Sequence, residues 1–402
     1  LIRDMDAEMG RRNLNAIVVF GNTTTGNPEL YYVAGAHLPR GGIYVKKIGE
    51  KPVLVVSSID IGNAEKGRVR RIQSYSDYGY EKILQKSKPG KATLMFYRKI
   101  LRDNGVSGHV AIYGRNEVCS FLKLARELQK LGYKVVAEDS PNLLDALRET
   151  KDQGELTRIR EVGDKTQKVL AETLNLLRSS RTVGGKLHLG GSKLTVGLVK
   201  AFIRRLFAEE NLFWDSSGII VAVGSRSADP HYPGEDKDPV LAGKPLVFDL
   251  SPHGEAYHFD VTRTHTVGKP LLKIRRMHEV VHETQLLVLD RMREDVVCGE
   301  LMELACRNIE RHGYKTMRSM FRKEKSLKSG FIHSLGHGVG LTIGEMPYLG
   351  LLNKEKLKRN SVVTVEPGLY ELGLGGVRLE DAVVIRGGGV ENLCSLGKNL
   401  EL

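Results

Sequence analysis

Cysteine is scarce in this chain of 402 residues: Cys119, Cys298, Cys306 and Cys394 are scattered, and no two form a CxxC pair. So few, so placed, exclude a disulfide framework, and a reducing cytoplasm is the expected compartment. No apolar run is long enough to span a bilayer. Internal repeats obvious by inspection, low-complexity segments and nucleic-acid-binding signatures are also missing. The last absence matters because 61 Lys and Arg outnumber 48 Asp and Glu, for a formal net charge of +13. That balance permits nonspecific attraction to nucleic acid or anionic surfaces. Its clusters, Lys273-Ile274-Arg275-Arg276 and Arg322-Lys323-Glu324-Lys325, nevertheless read as solvated faces. Neither a membrane nor a nucleic acid is an expected partner. The start, Leu1-Ile2-Arg3-Asp4-Met5-Asp6, reads as a charged amphipathic helical turn and not as a secretory signal. Because the first residue is Leu, a few residues are expected upstream.

Hydrophobic residues at 41% and charged residues at 27% describe an ordinary globular protein. The length favours two domains and suffices to bury a large core without disulfides. Residues 1–150 alternate helical stretches with short apolar runs such as Ala16–Phe20, Gly42–Val45, Pro52–Val56 and Val110–Tyr113, which predicts an α/β domain. Ser140-Pro141 reads as an N-cap with proline at the first helical position. The pattern breaks at Thr150–Gly154, so a second domain is expected over 151–402. There Leu156, Ile159, Val162, Val169, Leu170 and Leu174 recur at helical spacing, predicting a long amphipathic helix. Further helices are expected near 194–209, 270–293 and 299–312. Strands are expected at 218–223, 245–250, 256–267, 361–365 and 382–385, an α+β arrangement.

Five potential metal ligands lie in this second half: Asp249, Asp260, His337, Glu366 and Glu380. Asp249 and Asp260 flank the turn Ser251-Pro252-His253-Gly254, so a hairpin can return one beside the other. Glu366 and Glu380 flank a stretch containing Gly368, Gly373, Gly375 and Gly376, which predicts a second hairpin and a second carboxylate pair. Apolar neighbours carry these acids inward, where unneutralised carboxylates repel. Four carboxylates and an imidazole suit two divalent ions sharing bridging oxygens.

The segments Val-Phe-Asp249, Asp260-Val-Thr-Arg-Thr, Gly-His337-Gly-Val-Gly-Leu, Val-Glu366-Pro-Gly-Leu-Tyr and Gly-Val-Arg-Leu-Glu380-Asp, in this order, resemble the pita-bread metallopeptidases. This family, M24, includes methionine aminopeptidase, aminopeptidase P and prolidase. The resemblance covers about 155–402 and implies an α+β pita-bread catalytic domain behind an N-terminal domain like that of creatinase and prolidase. It implies that Asp260 and Glu380 bridge two metals, with Asp249 on one and His337 and Glu366 on the other. The ions would be Mn, Co, Zn or Fe, with Mn favoured. A hydroxide between them would attack the scissile carbonyl while Glu366 shuttles its proton. Arg378 and Thr262 would orient the carboxylates from behind. His231 and His333 match substrate-side histidines. The N-terminal domain favours the proline-specific branches, hence an Xaa-Pro dipeptidase or aminopeptidase acting on short proline-containing peptides, and a homodimer.

One position departs from the family pattern. Gly344 stands seven residues after His337, where a histidine that hydrogen-bonds the substrate carbonyl is usual. The alternative it leaves open is a metal-dependent hydrolase of a non-peptide or modified amino-acid substrate. A non-catalytic interaction module is a third reading, which the five ligands oppose. The His278-Glu279-Val280-Val281-His282 segment fits the HExxH zinc pattern. It has no third-ligand motif nearby and reads as partly exposed helix histidines.

Overall fold

The computed structural model describes residues 4–319 and 328–402, so the cluster Arg322–Lys325 lies outside the described residues. The chain divides into two compact units, Leu1–Arg148 and Glu149–Leu402. The first is built on a six-stranded mixed sheet. Its central strand, Ala16–Gly21, is buried at every position, as expected of an apolar run covered on both faces. Gly42–Lys47 pairs with it antiparallel and His109–Tyr113 pairs parallel. Outer strands Val53–Val56, Arg71–Ser74 and Lys134–Val136 complete the sheet. Helices Pro89–Asp103 and Val118–Lys130 supply Phe96, Ile100, Leu101 and Leu128 to its core. The expected helix start at Ser140-Pro141 is displaced. The helix spans Leu143–Arg148, and the Asn142 carboxamide oxygen accepts the N–H groups of Leu144 (2.9 Å) and Asp145 (3.1 Å). An Asn two residues on supplies the cap, because it can satisfy two otherwise orphan donors.

The second unit opens with helix Gln153–Arg178, whose start carries a capping box between Asp152 and Glu155. Its buried stripe includes Leu156, Ile159, Val162, Val169, Leu170 and Leu174. Gly163 lies on that stripe for a steric reason: a Cβ there would come within 2.5 Å of the Phe259 ring. Phe259 is thereby seated against the helix, immediately before Asp260.

Three antiparallel strands follow, Ile219–Val223, Leu246–Leu250 and Val261–His265. A five-stranded sheet contains Gly338–Val339, Val362–Val365 and Asp381–Ile385, and a separate hairpin pairs Gly368–Glu371 with Gly375–Arg378. The two larger sheets meet where Glu380 N–H donates to Thr262 O at 3.0 Å. Helices Leu272–Arg291 and Cys298–Arg311 pack beneath, contributing Met277, Val281, Val288, Leu301 and Ala305 to a core that also holds Val365, Leu369, Val377 and Leu379. The expected strand at 256–267 is interrupted. Tyr257–His258 pairs back on His253–Gly254, and the ladder resumes at Val261, leaving Phe259 and Asp260 between.

Candidate metal centre

Each acidic residue arrives at the sheet junction by a local device. Asp249 sits in the middle strand, opposite Thr262 in register. Asp260 lies two residues earlier on the returning chain, just before the antiparallel ladder resumes at Val261, so the expected hairpin brings the pair together with an interruption between them. The two glutamates behave differently. Val365 pairs with Asp381 in one sheet and Gly368 pairs with Arg378 in the hairpin. Glu366 and Glu380 therefore fall opposite each other where the chain changes sheets. His337 directly precedes strand Gly338–Val339, whose neighbour is Val362–Val365.

Ligand atoms of Asp260, His337 and Glu380 all lie within 4.8 Å of one another. His337 Nε2 is 3.8 Å from Asp260 Oδ2 and 3.5 Å from Glu366 Oε1. Asp249 completes the cluster through Arg378, whose guanidinium contacts its Oδ2. Thr262 Oγ1 donates to Glu380 Oε2 at 2.6 Å and accepts from Arg378 Nε at 3.2 Å. All five expected ligands, with Arg378 and Thr262, are thus gathered in one place.

The electrostatics of the cluster ask for positive charge. Burial, followed by the neighbouring Glu380 and Asp249 charges, holds the Asp260 carboxyl well above its usual range. Burial and the Glu366 and Asp249 charges do the same to Glu380, and burial raises Glu366. Asp260 Oδ1 is buried with no hydrogen-bond partner. Such an orphan costs about 1–3 kcal/mol, and more for a charged group, unless a cation takes the lone pair. The imidazole fits too. His337 Nδ1 lies 3.1 Å from Gly338 O. Its Nε2 faces the Asp260 and Glu366 carboxylates, the position a metal-ligating nitrogen takes. The residues present fit divalent cations.

Beside the ligands runs an ordered chain of donors. His333 Nδ1–H donates to Ser334 O at 2.7 Å, leaving Nε2 to accept from the Tyr370 hydroxyl at 2.9 Å. That hydroxyl accepts from Arg378 Nη1 at 2.9 Å. Burial, with the Arg378 charge beside it, pushes His333 down to about 3, so the ring is neutral. Both its nitrogens are occupied. His231 is exposed and lies near enough to act electrostatically on His333. Gly344 faces the metal-site imidazole, its N–H 3.3 Å from His337 Nδ1. Its φ is +76°, and a Cβ built there meets only the Tyr348 hydroxyl, at 3.9 Å.

Sequence reasoning gave no role to Tyr370 or Thr364. Thr364 Oγ1 accepts from His337 N–H at 3.0 Å and lies 3.3 Å from Glu366 Oε1. Its place two residues before Glu366, on the same strand face, was a usable signal. The HExxH histidines lie elsewhere: His278 and His282 line a separate cavity with Arg275, Cys394 and Lys398, and of the two expected to be partly exposed only His282 is, His278 being buried.

Residues 157–387 match metallopeptidase family M24. The chain belongs to that family. It is 25% identical over 394 residues to an Xaa-Pro dipeptidase of Pyrococcus horikoshii, covering 98% of this chain and 96% of the relative. The fold is similar to an Xaa-Pro dipeptidase from Bacillus anthracis (TM-score 0.80, 21% identity, 100% of this chain and 99% of that one). It is similar also to an X-Pro aminopeptidase from Thermotoga maritima (TM-score 0.77, 22% identity, 98% and 100%). This M24 chain therefore combines an α/β unit with a pita-bread unit, and the divalent-metal chemistry of the family agrees with the cluster found at its sheet junction.

Proposed function

We propose that this protein hydrolyses Xaa-Pro bonds of dipeptides or short peptides with two divalent ions. The observation that carries this is the convergence of Asp249, Asp260, His337, Glu366 and Glu380 in a chain that aligns end to end with an Xaa-Pro dipeptidase. Asp260 and Glu380 would be shared between the ions, Asp249 would complete one, and His337 and Glu366 the other. When bound, such ions lower the pKa of a water and polarise a carbonyl.

The chain's own residues do the rest. Glu366, raised by burial, is suited to take a proton on Oε1 and return it to the departing proline nitrogen. Arg378 fixes Asp249 and, through Thr262, Glu380, so the carboxylates need no reorganisation. The neutral His333 holds Tyr370 on Arg378, and His231, which is exposed, would meet the substrate. Manganese is the ion we favour, since oxygen-rich ligand sets suit it. A cytoplasmic homodimer is the assembly and location we propose, the latter because the four cysteines are free.

Gly344 favours a second reading, a non-peptide or modified amino-acid substrate, because the position beside His337 opens onto space a larger group could fill. Metal analysis combined with hydrolysis assays on Met-Pro, Xaa-Pro-Xaa tripeptides and Met-Ala decides between them. Metal-dependent cleavage of Met-Pro or the tripeptides is expected. Stoichiometric metal without cleavage of any peptide would refute the peptidase reading in favour of the second.

A further inference from the structure

The helix that carries the HExxH segment has a buried polar residue that neither motif nor mechanism uses. Gln285 is 0% exposed. Its Nε2 donates to Val365 O at 2.8 Å and to Leu379 O at 3.1 Å. These carbonyls belong to the residues immediately before Glu366 and Glu380. They lie where the backbone ladder is interrupted: Val365–Asp381 is the last pair of one sheet and Gly368–Arg378 the first of the hairpin. An interruption in a buried ladder exposes carbonyls that need donors. Here one side-chain amide serves both strands, and so ties together the two segments that carry the glutamates.

The amide is also incompletely satisfied, since Gln285 Oε1 is buried without a partner. A Leu or Met would leave no orphaned amide oxygen, but it would strand the Val365 and Leu379 carbonyls that Gln285 satisfies. What singles out this position is that the two carbonyls it joins each precede a glutamate of the metal cluster.

We propose that Gln285 is a positioning residue for the metal centre, fixing Glu366 and Glu380 at ligating separation from beneath. The inference rests on the metal reading above. Its test is Gln285→Met, which keeps volume and removes both hydrogen bonds, followed by titration calorimetry with Mn²⁺ and thermal unfolding of the metal-free protein. Outer hydrogen-bond partners of metal ligands are worth about 10–100-fold in affinity. The expected result is a loss of Mn²⁺ affinity in that range, together with a lower metal-free melting temperature because the Val365 and Leu379 carbonyls lose their donor. Affinity within twofold of wild type would overturn the proposal, whether or not the variant melts lower, because a purely structural role moves only the melting temperature. Wild-type protein that binds neither Mn²⁺ nor Zn²⁺ would refute the metal reading itself and the inference with it. Should Gln285→Met not fold, the wild type still decides. With selective ¹⁵N-glutamine labelling, the Gln285 side-chain amide resonances are expected to shift on Zn²⁺ binding, and unshifted resonances would overturn the proposal.

Discussion

Removing the metals should destabilise this protein in a way that grows with pH, and the charges of the site set the sign. Asp249, Asp260, Glu366 and Glu380 carry four negative charges and Arg378 one positive, a net of −3. One divalent ion leaves −1, and two leave +1. An ion at a hundredfold its dissociation constant contributes about 2.7 kcal/mol, so two contribute about 5 kcal/mol. At about 2–4 °C per kcal/mol for a domain of this size, chelation should lower the melting temperature by about 10–20 °C at neutral pH.

The pH dependence follows from the direction of the shifts. Asp260, Glu366 and Glu380 have folded-state pKa values raised above those of an unfolded chain. In chelated protein their contribution is fully present below about pH 4, where unfolded carboxyls titrate, and is lost as pH rises. The gap between loaded and chelated protein should therefore be small near pH 4.5 and widen towards pH 8. Using the gap cancels groups that titrate alike in both forms. Asp260→Asn supplies the opposite sign. It removes the carboxylate whose Oδ1 is orphaned, so in chelator the variant should melt no lower than wild type, while failing to hold two ions. Scanning fluorimetry with metal analysis reads all of this. Equal melting temperatures with and without chelator across that range, or two ions retained by Asp260→Asn, would refute the reasoning.

Acid should attack a second place. His265 and His278 are buried, each is pushed down to about 4 by burial, and each has Nε2 without a partner. Depressed histidines stabilise above the unfolded pKa of about 6.5, and that contribution is lost as pH falls towards 4, at up to about 3 kcal/mol each. His265→Asn should flatten this loss in equilibrium unfolding. Replacing His278 and His282 together by Ala should leave metal content unchanged, whereas loss of metal by mass spectrometry would restore the HExxH site. Arg263, 0% exposed, donates to Asp381 at 2.8 Å and Glu380 O at 2.7 Å. Arg263→Met should cost about 1–3 kcal/mol in denaturant unfolding, since it leaves the Glu380 carbonyl and Asp381 Oδ1 without this donor while Lys398 and Asn392 still hold Asp381 Oδ2. Gly163→Val should displace Phe259 and weaken metal binding through Asp260; unchanged affinity would show that the Phe259 seat does not set that ligand.

The ligands were legible in the sequence because each is embedded in a local pattern: an apolar run ending in Asp249, a glycine-rich turn between Glu366 and Glu380. The long helix was legible for the same reason, its stripe recurring at helical spacing. The relation of Asp249 to Asp260 was not. A turn between two strands predicts a plain hairpin, whereas the returning strand breaks at Phe259, which lies against Gly163, just before Asp260. Similarly, Ser140-Pro141 is a sound cap signal taken alone, and Asn142 overrides it because its oxygen reaches two helix donors.

Helix Leu272–Arg291 makes the general point about motif and context. By spacing alone, its informative residues are His278 and His282, an i, i+4 pair with a glutamate between. In the fold those rings line a cavity with the C-terminal residues Lys398 and Asn399, while Gln285, which matches no motif, reaches both glutamate-bearing strands. Spacing identifies groups that act on the same ion from the same element. It is silent about a side chain whose partners are backbone carbonyls 80 and 94 residues away. The ligands of a metal centre are therefore readable from sequence long before the residues that hold them apart.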